Sequence, residues 1–198
     1  MTGGKDPTRL RTNQKNKAMQ TATKTKWALD TAHSEIGFKV KHMMITNVSG
    51  AFSAFGADVE TEGDDFSTAT ITFSADLDSL STGSPDRDNH LKSADFFDAA
   101  SHPKLTFKST RMEKLSASEY QLFGDLTIRG VTHPVVLDVE FGGVGKDPFG
   151  NQKAGFTVSG KISRGQFGLN WNASLETGGV LVSDEVRLFG DVQLIRQA

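Results

Sequence analysis

The chain has no cysteine among its 198 residues. Disulfide frameworks, thiolate zinc sites and thiol nucleophiles are therefore excluded. Charge of one sign is missing too: 22 basic against 24 acidic residues leave a net charge of -2, and 36% of residues are hydrophobic. That balance suits one good core and argues against a disordered or polyanion-binding chain. No apolar run approaches a membrane span, and the N-terminus lacks the unbroken apolar stretch of a secretory signal. The cytoplasm is the compartment expected, or the periplasm if a natural leader has been replaced. Neither a G-x-S-x-G nucleophile elbow nor a G-x-x-x-x-G-K-[ST] phosphate loop occurs, so no catalytic machinery is visible.

Residues 1–26 set Lys5, Arg9, Arg11, Lys15, Lys17, Lys24 and Lys26 against the lone acid Asp6, with almost no large apolar side chain. This predicts a disordered basic arm, a tag or extension, ahead of a single domain at 27–198. It has neither aromatics nor a helical period, and no nucleic acid partner is expected. After Trp27 the pattern becomes alternation. Ile36, Phe38, Val40 and His42 share one face against Glu35, Gly37, Lys39 and Lys41, so the histidine is carried inward with the apolar set.

The same period recurs at Ala69, Ile71, Phe73, Ala75 and Leu77, then at Leu105 and Phe107, and at Tyr120, Leu122, Leu126 and Ile128. It continues through Val135, Leu137, Val139 and Phe141, through Phe156, Val158 and Ile162, and through Val186, Leu188, Val192 and Leu194. Turns with Gly63, Gly130 and Gly142 punctuate these runs. The reading is all-β, about eight antiparallel strands closed into a barrel or folded into a sandwich. We read a barrel, because glycines recur inside the strands at Gly50, Gly56, Gly124, Gly160 and Gly190 as though bends were needed.

Residues 84–98 give the one convincing helix signal. Ser84 is placed to cap with its hydroxyl, Pro85 to open the first turn, and Asp86 and Asp88 to face the positive end of the dipole. Leu91 and Ala94 would share an apolar face, Phe96 and Phe97 would follow in a second turn opened by Ser93, and His102-Pro103 would force the backbone extended. So small an apolar surface forms no core of its own, and the helix is expected to act as a lid over the strands.

His33, His42, His90, His102 and His133 show none of the spacings that bring two imidazoles to one metal. Asp86 and His90, four residues apart, form the best local pair for a general base or a metal ligand, and also read as an ordinary helix-surface pair. Arg87, at the first turn of the lid, suits a phosphate or carbonyl headgroup or a salt bridge to Asp86 or Asp88. The inward set of Phe38, Val40, Phe52, Ile71, Phe73, Phe107, Leu126, Ile128, Phe156, Val158 and Leu188 either fills the barrel or lines a site for an apolar ligand.

An ordered series of motifs runs from Trp27 to the C-terminus: Trp27-x-Leu-Asp-x-x-His-Ser34, Phe38-x-Val-x-His42, Gly50-x-Phe52, Arg87-Asp-x-His-Leu91, Asp95-Phe-Phe97, His102-Pro103, Gly124-Asp-Leu-Thr-Ile-Arg-Gly-Val-Thr132 and Arg164-x-x-Phe-Gly-Leu169. In these the chain resembles the YceI-like family. The resemblance implies a lipocalin-like antiparallel barrel whose lumen holds a polyisoprenoid, as in polyprenyl diphosphates or isoprenoid quinones, with no enzyme activity and no cofactor beyond that lipid. Carried over, Phe38, Val40, His42 and Phe52 would line the tunnel, and Arg87, His90, Leu91, Phe96 and Phe97 would cover it. Phe167 and Leu169 join the implied ligand contacts, and homodimerisation is in keeping with the family. The basic arm in place of a leader resembles the cytoplasmic branch. Two other readings stay open: a lipid-modifying or metal-dependent enzyme using Asp86, His90 and His42, and a filled barrel that binds another protein.

Overall fold

Alternating side chains become strands here, and the computed structural model, which describes residues 23–176 and 178–198, shows how they close. The first stave of the barrel is interrupted. Strand β1 (Lys24–Leu29) and strand β2 (Glu35–His42) flank a short 3-10 turn at Thr31–His33, where the Asp30 carboxylate accepts the Ala32 N–H at 3.2 Å. The second stave breaks likewise into β3 (Thr46–Phe52) and β4 (Phe55–Glu62). The third is β5 (Asp65–Asp76), continued past a 3-10 turn by β6 (Leu80–Ser81). Helix α1 (Pro85–Lys92) follows, and then the long strands β7 (Lys104–Lys114), β8 (Glu119–Ile128), β9 (Val131–Lys146), β10 (Gln152–Ser163) and β11 (Val182–Arg196).

All pairings are antiparallel. The order β1-β4-β5-β7-β8-β9-β10-β11 returns to β1 through Trp27↔Arg196, while β2, β3 and β6 extend the sheet beyond β11. The eleven strands are thus eight staves, the expected barrel, with each of the first three broken into two strands. The β8–β9 hairpin turns on Arg129 and Gly130, both at positive φ (51° and 72°), the twist that suits a tight antiparallel turn. Among the described residues no strand pairs beyond β6 in the sheet, and the lid segment 82–103 follows it, anchored where the Leu77 N–H meets the Pro103 carbonyl at 2.9 Å.

The start of the domain moves. Strand β1 begins at Lys24, Thr25 is buried, and Lys24 and Lys26 reach Glu60 at 3.2 and 3.7 Å, so these residues belong to the barrel and not to an arm ending at 26. Pairing with β4 provides partners for their backbone groups. The predicted arm otherwise falls on residues 1–22, outside the described residues.

The lid also differs in detail. The Ser84 hydroxyl makes no cap bond; instead the Asp88 carboxylate reaches back to accept the Thr82 N–H at 2.8 Å and the Thr82 hydroxyl at 2.5 Å. Accepting both Thr82 donors fixes the Asp88 side chain against the corner that precedes the helix. The helix ends at Lys92. Phe96 and Phe97 follow in irregular turns, and the Phe97 N–H bonds to the Leu91 carbonyl. Ala94 is exposed and does not share the face of Leu91.

Candidate functional site

The inner faces of the staves enclose an elongated cavity of about 270 Å³. Its walls are apolar side chains, and Arg164 is the one charged residue among those lining it. At the lower end the floor is aromatic: Phe66 packs against Trp27 at 5.1 Å, Phe156 at 4.9 Å and Phe141 at 5.5 Å between ring centroids. Trp27, buried behind it, donates its indole N–H to the Thr61 hydroxyl at 3.0 Å, which satisfies its one polar atom. At the upper end Leu91, Phe96 and Phe97 of the lid face the cavity beside Leu169 and Val182.

Four inward glycines shape the bore. A Cβ on Gly50 would lie 2.5 Å from the Phe38 ring, on Gly124 2.3 Å from Phe107, on Gly160 2.5 Å from Leu137 and on Gly190 2.8 Å from Ile36. Each glycine lets a large neighbour lie flat against the wall, leaving the axis open. In the sequence these glycines read as bends. Their physical role is close packing with a facing side chain, except at Gly56, where nothing lies near.

Arg164 closes the upper rim. It is buried and donates through Nε to the Ser183 carbonyl at 2.9 Å, through Nη1 to the carbonyls of Trp171 at 2.9 Å and Leu169, and through Nη2 to Val182 at 3.4 Å. Burial draws its pKa below the ordinary guanidinium value, opposed by the nearby Asp184, and it remains charged. Asp184 is held low in turn by the Ser163 hydroxyl and the Gly165 N–H. Arg164 thus joins the turn at 169–171 to the start of β11, beside the Arg129 Nη1 bond to the Gly168 carbonyl at 3.2 Å.

Most of the predicted ligand set lies together on the wall: Phe38, Val40, Phe52, Ile71, Phe73, Leu91, Phe96, Phe97, Phe107, Leu126, Ile128, Phe156, Val158, Leu169 and Leu188. Four do not. His42 ends β2 opposite Thr46 and Val182, outside the cavity, because the barrel rim has been reached there. Arg87 is exposed and donates to the Thr82 hydroxyl at 2.7 Å and the Thr82 carbonyl at 2.8 Å, so it fastens the lid instead of facing the lumen. His90 pairs with Asp95 at 3.0 Å, not with Asp86, and stands edge-on to Trp171 and Phe96. Phe167 is wholly buried against His133 in the 3-10 turn behind the wall.

Alternation had already marked Leu105, Leu122, Leu137, Val139, Ile162, Val186, Val192 and Leu194 as inward, and all line the cavity. Leu29, Val59, Phe66 and Met112 also line it and were missed, Leu29 and Phe66 because they lie at strand ends where the period is too short to read. Arg164 opens one of the motifs, yet no local signal distinguishes a buried rim arginine from a surface one. Among the described residues no three His, Cys, Asp or Glu side chains gather as metal ligands. No helix among them is long and apolar enough to cross a membrane.

Fold and site together define a class: closed antiparallel barrels with an apolar lumen under a short lid. The chain belongs to the YceI-like domain family, whose pattern matches residues 27–194. A UPF0312 protein of Staphylococcus epidermidis is 44% identical over 166 residues, covering 82% of this chain and 93% of its own length. The crystal structure of the Campylobacter jejuni YceI protein superposes with a TM-score of 0.70 at 34% identity, over 86% of this chain and 97% of that one. A polyisoprenoid binding domain from Saccharophagus degradans shares the fold with a TM-score of 0.60 at 15% identity, over 86% of this chain and 98% of its own.

Proposed function

We propose that the protein binds a long isoprenoid lipid in its barrel, carrying, storing or sensing it, and does not act as an enzyme. The observation that carries this reading is the continuous apolar cavity, which runs from the Phe66 floor to the Phe96–Phe97 lid. The binding named for the Saccharophagus degradans domain of the same fold supports it.

Magnitudes refine the ligand. At about 30 Å³ per water-sized group, 270 Å³ holds about nine such groups. Burying as many methylenes at about 0.8 kcal/mol each gives about 7 kcal/mol, near the low end of the cost of association. A short tail is therefore held weakly, and a long one gains its affinity by displacing flexible wall residues such as Met112 or by lifting the lid. Arg164 has its main donors committed to main-chain carbonyls, and Arg87 is engaged with Thr82, so the lumen suits a weakly polar quinone head better than a diphosphate.

The test is native mass spectrometry after incubation with an isoprenoid quinone and with a polyprenyl diphosphate. One quinone per wild-type chain is expected, with loss in folded Phe38→Gln and Phe73→Gln variants. No adduct from either lipid, or undiminished binding by both variants, overturns the luminal reading. The enzyme alternative finds no support in the arrangement of Asp86, His90 and His42, since His90 turns to Asp95 and His42 sits at the rim. Cytoplasmic residence belongs to the same proposal and is checked by cell fractionation.

A further inference from the structure

Three consecutive apolar residues stand out from the upper rim. Met43 is 41%, Met44 55% and Ile45 81% exposed at the tip of the β2–β3 hairpin, and Val180, 43% exposed, lies beside them through the 2.7 Å bond from the Met43 N–H to the Leu181 carbonyl. Met43 and Met44 have φ of 52° and 60°, the left-handed region that long side chains occupy only at a cost. Asn or Gly would serve this turn better, and an exposed methionine gains nothing for the fold. Strain and exposed apolar surface at one place indicate a contact made outside the barrel.

The position and surroundings of the tip identify that contact. Two residues before the end of β2, Val40 lines the cavity, and His42 pairs with Val182, another lining residue, so the tip stands at the mouth of the lumen. Lys39 and Lys41 flank it on the outer face of β2, opposite the neutral Ser49 and Asn47 of β3. Neither lysine forms an ion pair among the described residues; Lys39 lies over the Phe189 ring at 5.2 Å. Of the nearby acids, Glu185 is already paired with Lys161 and Arg187, and Asp184 accepts the Gly165 N–H. An apolar projection flanked by cations that have no acidic partner among the described residues complements an anionic phospholipid surface.

We propose that the Met43-Met44-Ile45 tip inserts into an anionic membrane surface, with Lys39 and Lys41 against the headgroups, and so presents the mouth of the barrel to the bilayer. The purpose of the contact, loading and unloading a lipid, rests on the luminal reading above; the contact itself is tested apart from it.

The experiment is flotation with vesicles of phosphatidylcholine mixed with phosphatidylglycerol, against phosphatidylcholine alone, run beside uptake of a short-chain isoprenoid quinone from vesicle-free solution. Wild-type protein floats with the mixed vesicles, and a Met44→Ser/Ile45→Ser variant floats about tenfold less or worse. Lys39→Gln/Lys41→Gln loses the preference for phosphatidylglycerol, and both variants take up quinone as wild type does. Met43→Asn with Met44→Gly melts at a higher temperature yet floats poorly, the signature of strain kept for contact and not for folding. Wild type that does not float, or tip variants that float equally, overturn the proposal. So does a tip variant that only converts a dimer to monomer, which would make the surface one for self-association. If no protein takes up quinone but flotation still depends on the tip, the luminal reading falls and the membrane contact stands.

Discussion

At the lower end of the barrel Trp27, Phe66, Phe141 and Phe156 sit on strands and pack ring to ring; at the upper end the lumen is covered by Leu91, Phe96 and Phe97, carried on one short helix and the turns behind it. The floor is held by buried apolar area and a ladder of paired backbone. The cover buries Phe96 and Phe97 but has no ladder of paired strands, and hydrogen bonds fix its turns: Asp88 accepts from Thr82, Arg87 donates to Thr82, His90 pairs with Asp95, and Arg164 donates to the carbonyls around it. Segments with few ladder bonds open at lower free energy than core strands. The lid end is therefore expected to open before the floor.

The largest effect is expected at the floor. Trp27→Ala should lower the unfolding free energy by about 3–5 kcal/mol in urea denaturation, since it removes a buried indole and leaves a cavity under Phe66. An effect under about 1 kcal/mol would mean that the floor relaxes and that the two ends differ less than their packing implies. Next comes the upper rim. Arg164→Gln should cost about 1–3 kcal/mol by leaving carbonyls of the 169–183 stretch without donors, and limited proteolysis should then cut within 170–181 while the strands stay intact.

The lid latch ranks third. Asp95→Asn should change stability by at most about 1 kcal/mol, because the His90–Asp95 pair is largely solvated. Its consequence is kinetic: faster opening, read as stronger acrylamide quenching of Trp171 in a Trp27→Phe background. Quenching of Trp27 in a Trp171→Phe background should stay weak and unchanged, and equal response from both tryptophans would erase the distinction between the ends.

The smallest effect separates the ends by pH. The Lys153 ammonium, 2.8 Å away, holds the Asp30 carboxyl below its ordinary 3.8 and is itself raised above 10.5. At the lid, burial pushes Asp88 upward, but the Thr82 hydroxyl and N–H outweigh it and leave its pKa lowered. Both carboxylates contribute stability that is present above the ordinary carboxylate value and lost as pH falls through the lowered one. The Lys153 contribution is present below 10.5 and lost as pH rises through the raised value. Hydrogen exchange should therefore show both ends loosening in acid and only the Asp30–Lys153 corner loosening in alkali. Asp30→Asn should abolish the alkaline change; its persistence would assign that change elsewhere.

By itself the sequence determined the strands, their inward faces, the single helix opening at Pro85 and the motifs that place the chain in its family. Alternation is local, so Phe38, Phe73, Leu126 and Phe156 could be assigned to one face without knowing their neighbours. Only the tertiary structure decided what those faces enclose. Closure joins Trp27 to Arg196 across nearly the whole chain, and no local period encodes such a pairing. The open bore depends on which glycine stands beside which ring, Gly50 under Phe38 and Gly124 under Phe107, a matter of register between strands. His42 alternates correctly and still misses the lumen because the wall ends there, and His90 finds Asp95 because the chain turns back after Lys92. Polar partners and empty volume are properties of residues brought together from far apart, which a single chain read in order does not contain.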